Sequence, residues 1–247
     1  MVVYTVITYG YDNLIEVKPE EGVKFICFTD NKELKSNSWE IRPIPGWTET
    51  IPPNKKQRIL KLCPHLLFPD EEISVYVDGN VQILAPITDY VNECLGNGCD
   101  VCVPQHPSRN CLYQEAVACA EIKKDTAKNI LPQIYRLRDI GFPAKFGLYE
   151  TNIMFRKHNT PDCIRLMEKW ALWLLIGSHR DQLSFTYAIW ETGVKVHALP
   201  KTTKRSKWFK TNMGHSKRKS KPPKAQPQKK QTTTTLVQNG TPLDIYD

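Results

Sequence analysis

Residues 2–8 form a mainly apolar, β-branched run that ends in a polar, aromatic turn, Tyr9-Gly10-Tyr11-Asp12-Asn13. Residues 23–28 repeat the plan and lead into Thr29-Asp30. Residues 73–77 repeat it again, ending at Asp78-Gly79-Asn80 with a shorter apolar stretch over 81–84 beyond. Continuous β-branched and aromatic runs of this length are what strands covered on both faces look like. Residues 39–43, 100–104, 147–155 and 194–199 read as further strands.

Between these runs the apolar spacing lengthens to that of helices. Past the loop marked by Pro43, Pro45, Pro52 and Pro53, Asn54 is a candidate cap for a helix over 55–66. That helix has Ile59, Leu62 and Leu66 on one face and carries Lys55, Lys56, Arg58 and Lys61. Further helices are predicted over 86–94, 112–131, from 137 onward after a break near Pro132, over 162–176 with Trp170 and Trp173, and over 183–190. Strands alternating with helices predict an α/β fold, a mostly parallel sheet with helices on both faces.

Charge changes this picture only at one end. The 247 residues carry a net charge of +8, but residues 201–247 hold 12 Lys/Arg against 2 Asp/Glu. The first 200 are left with 22 against 24, close to neutral. A domain over 1–213 is therefore expected, followed by a flexible basic tail or linker over 214–247, rich in Lys, Pro, Gln and Thr. A basic run attracts nucleic-acid phosphate, but the near-neutral domain shows no nucleic-acid module, so nucleic acid is not the expected partner. No apolar run reaches membrane-spanning length, and the start reads as a strand instead of a signal peptide. The cysteines at 27, 63, 94, 119 and 163 lie in apolar segments, as reduced thiols of a cytoplasmic protein would. Cys99-x-x-Cys102 lacks a second pair at zinc spacing.

The candidate chemistry sits where strands end. Thr8-Tyr9, Thr29-Asp30, Asp78-Gly79-Asn80 and Gln105-His106 all follow predicted strands. Ligands of open α/β sheets collect at that edge, so together these residues outline a cleft. The carboxylate and amide oxygens of Asp78 and Asn80 suit a hard divalent cation. A plain Asp-Gly hairpin turn accounts for the same residues without any ligand.

Five motifs in order carry a resemblance: Phe28-Thr29-Asp30, the basic helix, Tyr76-Val77-Asp78-Gly79-Asn80, Tyr149-Glu150-Thr151-Asn152 and Arg180-Asp181-Gln182-Leu183-Ser184-Phe185. Over residues 1–213 the chain resembles glycosyltransferases of the GT-A (Rossmann-like) fold. More narrowly, it resembles the amino-terminal domain of a chlorovirus glycosyltransferase that decorates the major capsid protein. The resemblance implies a UDP-sugar donor, a hexose or a deoxyhexose such as rhamnose, and a growing glycan on a viral capsid protein as acceptor. It also implies a divalent metal, manganese or else magnesium, on a DxD-type motif that here reads Asp78-Gly79-Asn80. Asn80 supplies an oxygen without a charge, and His215 is the candidate third ligand. Retention of anomeric configuration is implied by the resemblance alone.

In this reading Thr8, Tyr9 and Asp30 cradle the nucleoside, although an Asx turn explains Asp30 equally well. Arg58, with Lys55 and Lys61, faces the diphosphate; the alternative is a solvated helix face. Asp181, Glu150, Asn152, Arg180 and Gln182 are candidates for the sugar and the reacting centre, with Asp181 and Glu150 able to serve either stereochemical scheme. Gln105 and His106 are candidates at their strand end. A non-catalytic nucleotide- or sugar-binding module is the rival if Asn80 has cost the site its metal.

Overall fold

The computed structural model describes residues 1–200 and 205–211. In chain order the elements are β1 (Val2–Ile7), β2 (Lys24–Thr29), β3 (Glu40–Pro43), α1 (Pro53–Leu62), α2 (Pro64–Leu67) and β4 (Ser74–Val77). Next come β5 (Gln82–Ile83), α3 (Thr88–Leu95), β6 (Val101–Pro104), α4 (Leu112–Glu121), α5 (Ala127–Asp139) and β7 (Ile153–Arg156). The remainder are α6 (Pro161–Ile176), α7 (Gln182–Thr192), β8 (His197–Leu199) and β9 (Phe209–Lys210).

Seven strands make one sheet in the order β3-β2-β1-β4-β7-β6-β8. Neighbours are parallel except around β7, which runs against both β4 and β6. Side chains alternate across the pleat. Val2, Tyr4 and Val6 of β1 join Ile26, Tyr76, Trp170 and Phe185 in one core, while Val3 and Ile7 join Phe25, Val75, Phe155 and Val91 in the other. Both faces are covered, which is why β1 and β4 are buried along their whole length and read as continuous apolar runs. A third cluster packs α4 and α5 against Trp173, Leu183 and Tyr187.

This topology gathers the site at one edge. The carboxyl ends of β1, β2, β4 and β6 point the same way. Because β7 is reversed, its start comes to that edge too, with Glu150, Thr151 and Asn152 ahead of it.

Several local expectations are corrected. Asn54 does not cap α1; Pro52 holds the cap position and Pro53 opens the helix, its fixed φ already suited to a first turn. The helix expected over 55–66 stops at Leu62, because Pro64 has no N–H to donate and opens α2 instead. Leu66 lies in α2, 56% exposed. The break expected at Pro132 falls earlier, between α4 and α5, and Pro132 is held inside α5. Lys123, at φ 53°, donates its N–H to Ala120 O and Lys124 N to Cys119 O, a Schellman pair that ends α4.

Candidate active site

β4 delivers Asp78 to the cleft. Its N–H bonds Asn152 O at 2.9 Å, and Val81 N closes a tight turn onto Asp78 O at 2.9 Å. Beyond that turn β5 pairs with β9, not with β4, so a simple hairpin is not what the Asp-Gly pair serves. Asp78 Oδ1 accepts a 2.8 Å bond from the Tyr76 hydroxyl and lies 3.8 Å from Lys61 Nζ. Burial, and then the Asp78 charge, holds the Tyr76 phenol well above its usual value, so it stays a donor to Asp78.

Gly79 has a specific reason to be glycine. A Cβ there would sit 2.9 Å from Asp12 Cβ and from Asp12 Oδ2, and 3.2 Å from Ile7 Cγ1. The Tyr9–Asn13 turn therefore presses its carboxylate directly against the Asp78-Gly79-Asn80 turn. Gly79→Ala is expected to lose about 1–3 kcal/mol in denaturant unfolding through overpacking and to displace Asp12. An unchanged unfolding midpoint would show that the two turns yield freely.

Deeper in the cleft lies a charged knot. Lys61 is 3% exposed, and its ammonium donates to Asp181 Oδ2 at 2.6 Å and Thr151 Oγ1 at 3.0 Å. Thr151 in turn donates to Asp181 Oδ2 at 2.9 Å, and Arg58 Nε stands 3.8 Å from Oδ1. Burial alone would raise the Asp181 carboxyl, but Lys61, then Arg58 and Arg180, outweigh it and hold it well below its ordinary range. Asp181 is an ionised, neutralised group at any physiological pH. The backbone behind Lys61 is fixed as well, its carbonyl accepting from the buried Tyr4 hydroxyl at 2.8 Å and Arg156 Nη1 at 2.9 Å.

The cleft has two adjoining lobes. One, of about 590 Å³, runs from Thr8 and Tyr9 past Pro53 and Arg58 to Lys123, Lys124 and Arg180. The other, of about 340 Å³, holds Asp78, Asn80, Lys61, Asp181, Glu150 and Asn152 among its walls. Tyr11, Asp12, Gln57, Arg58, Lys124 and Arg180 border both.

Most of the expected residues meet here: Thr8 and Tyr9 in the first lobe, His106, Glu150, Asn152, Arg180 and Gln182 in or beside the second. Three do not line either lobe. Asp30 works from behind, both carboxylate oxygens accepting the Tyr9 N–H at 3.0 Å and so fixing Tyr9 at φ 56°. Lys55 caps the end of α6, donating to Leu175 O at 2.7 Å and Gly177 O at 2.8 Å. Gln105 forms a backbone bridge with Tyr149. His106 is part of the wall's framework: its Nδ1 accepts from Arg109 N at 3.0 Å, and burial lowers its pKa, so the ring is neutral. Asn152 Oδ1 is buried without a hydrogen-bond partner. Arg180 donates to Gln182 Oε1 at 2.9 Å, which orients that amide. His215 and the tail over 214–247 lie outside the described residues.

Asp12, Thr151, Gln57, Lys123 and Lys124 carry no assignment in the sequence reading, yet they line the cleft. Asp12 had a signal, a carboxylate in a polar turn directly after a strand. Lys123 and Lys124 had none, since their helix was expected to continue.

The donor set fits a hard cation. Among the described residues no three His, Cys, Asp or Glu side chains gather as a metal group. Asp78 and Asn80 nonetheless share one turn, and the Asp12 carboxylate lies on the neighbouring turn packed against Gly79, all three in the wall of the second lobe. That is the incomplete oxygen set a magnesium- or manganese-like ion completes with water and substrate phosphate.

A seven-stranded, mostly parallel sheet with helices on both faces and a polar cleft at its carboxyl edge is an α/β architecture of the GT-A (Rossmann-like) kind. The chain belongs to the TOD1/MUCI70 glycosyltransferase-like domain family, whose model matches residues 52–213. An apo structure of the WbbM bifunctional glycosyltransferase is similar over 80% of this chain and 38% of that one, with 11% identity and a TM-score of 0.50. Mouse xyloside xylosyltransferase 1 in its apo form is similar over 80% and 84%, at 13% identity and a TM-score of 0.48. Galactosyltransferase LgtC, in complex with donor and acceptor sugar analogues, is similar over 80% and 73%, at 10% identity and 0.45. No curated protein sequence matches the chain. Among the described residues no helix is long and apolar enough to cross a membrane.

Proposed function

We propose that this domain, residues 1–213, is a metal-dependent glycosyltransferase that moves a sugar from a UDP-sugar to a hydroxyl of a growing glycan. The observation that carries the reading is the meeting of Asp78, Asn80 and Asp12 with the Lys61–Thr151–Asp181 knot in one cleft of a glycosyltransferase-like family member. The first lobe is proposed to take the nucleoside, with the Tyr9 ring against the base. The second is proposed to take the sugar.

Asp78 and Asn80, with Asp12 beside them, would hold manganese, or magnesium in its place. Bound there, the cation would supply positive charge to the departing diphosphate. Arg58 shares that task from α1, where its fork reaches both lobes. Asp181, already ion-paired, is too acidic to take a proton near neutral pH, so its role is to fix sugar hydroxyls and face positive charge at the anomeric carbon. The unpartnered Asn152 Oδ1 is an acceptor for a sugar hydroxyl. Glu150 stands beside it for the acceptor. Retention of configuration, a hexose or deoxyhexose such as rhamnose, a viral capsid protein as carrier of the glycan and a cytoplasmic location rest on the sequence reading.

Calorimetric titration of UDP with and without manganese tests the donor and the metal together. Binding that needs manganese is expected. Arg58→Ala should weaken it about tenfold or more, and Lys56→Ala, whose side chain lines neither lobe, should leave it within about twofold. Equal losses would replace the Arg58 clamp with a diffuse field, and absence of UDP binding to the wild type would overturn the donor.

A further inference from the structure

The turn between α4 and α5 places two lysines in the wall of the first lobe. Lys123 and Lys124 line it together with Arg58 and Arg180, whereas Asp12 is the single carboxylate among its lining residues. Lys123 stands at the left-handed position that ends a helix in a Schellman turn, the place where glycine is the favoured residue. A lysine at φ 53° there is strained, and no backbone bond of the turn needs its side chain. The next residue anchors the turn. Asp125 is buried and accepts from Thr126 N at 2.7 Å, Asn129 Nδ2 at 2.8 Å and Ser178 Oγ at 2.6 Å, and from His179 N at 3.2 Å. The lysine turn is thereby fastened to the segment that carries Arg180 and Asp181.

We propose that Lys123 and Lys124 form a second cationic jaw of the cleft, which binds the diphosphate of the nucleotide donor together with Arg58 of α1. The inference rests on the nucleotide-sugar reading and deepens it. Arg58 reaches the phosphates from α1; Lys123 and Lys124 reach them from the α4–α5 turn, and Asp125 sets the distance between that turn and the sugar-facing Asp181. The residue that relieves the turn's strain is the one that removes its charge, so stability and affinity are opposed at position 123.

Lys123→Gly separates this role from a structural one. The variant is expected to raise the thermal midpoint by about 2 °C, because glycine adopts φ 53° without strain. It should also weaken UDP binding about five- to tenfold, as loss of a phosphate-facing charge does. Lys124→Gln should weaken UDP binding similarly, and Lys128→Gln, on α5 outside both lobes, should change neither quantity. Uridine affinity should be the same in all four proteins, and inorganic pyrophosphate should follow UDP. If the wild type binds UDP and Lys123→Gly with Lys124→Gln binds it as well, the jaw is refuted and the nucleotide reading stands. If the wild type binds pyrophosphate through these lysines but UDP no better, the jaw holds and the donor assignment falls. Binding of neither overturns both.

Discussion

Lys61→Met should destabilise the protein by about 3 kcal/mol and remove most of its sugar transfer. The long apolar stem is kept, so packing is little changed, but the Asp181 carboxylate loses the ammonium 2.6 Å away while staying 5% exposed. Leaving one member of a buried pair uncompensated costs about 3–5 kcal/mol, and Arg58 at 3.8 Å recovers part of it. For a domain of this size that lowers the thermal midpoint by roughly 6–12 °C. The pH dependence identifies the cause. In the wild type the Asp181 carboxyl is depressed below its ordinary 3.8, so its stabilisation is complete above that value and is lost as pH falls below it. Without Lys61 the opposing effect of burial is less countered, and the carboxyl moves up. The stability gap between the two proteins is therefore full at pH 7 and narrows below about pH 4. A gap that stays constant from pH 7 to pH 3 would locate the loss in packing and not in the ion pair. Asp181→Asn is a check from the other side, since its amide oxygen still accepts from Lys61.

The strand ends were legible because burial on both faces leaves an unbroken apolar run, and the first polar residue after such a run sits at the sheet edge. Asp78, Thr8 and Tyr9 are found this way. Lys61 is harder to read. On a helix that also carries Lys55, Lys56 and Arg58 it looks like one more solvated cation, and only the approach of Thr151 and Asp181 from elements about 90 and 120 residues away makes it a buried counter-charge. Lys55 misleads for the same reason: its acceptors are backbone carbonyls at the end of α6, groups a sequence does not display. Asp30 is a strand-end carboxylate bound to backbone, but the backbone is that of Tyr9 and not its own turn. The stop of α4 was hidden because its left-handed residue is a lysine. Had it been glycine, the turn would have been visible and the charge absent.

Asp78→Asn should lower metal-supported UDP affinity and sugar transfer by about a hundredfold or more while moving the thermal midpoint little. The choice of asparagine follows from the Tyr76 hydroxyl, which is fully buried and donates to Asp78 Oδ1 at 2.8 Å. Alanine would strand that donor, leaving only a 3.5 Å contact with Gln57, and would cost about 1–3 kcal/mol of stability before any ligand is considered. Asparagine keeps an acceptor for Tyr76 and removes the charge that a divalent cation needs, turning an Asp-Gly-Asn site into one with a single carboxylate, Asp12. Manganese binding followed directly, by calorimetry or by loss of the free-ion resonance signal, should fail in Asp78→Asn whether or not a donor sugar has been identified. Comparing the two substitutions separates the two jobs proposed for one carboxylate: metal binding should be lost in both, and stability only in Asp78→Ala. If Asp78→Asn binds manganese as the wild type does, the cation is held elsewhere in the chain, and Asp78 serves the cleft only through Tyr76 and Lys61.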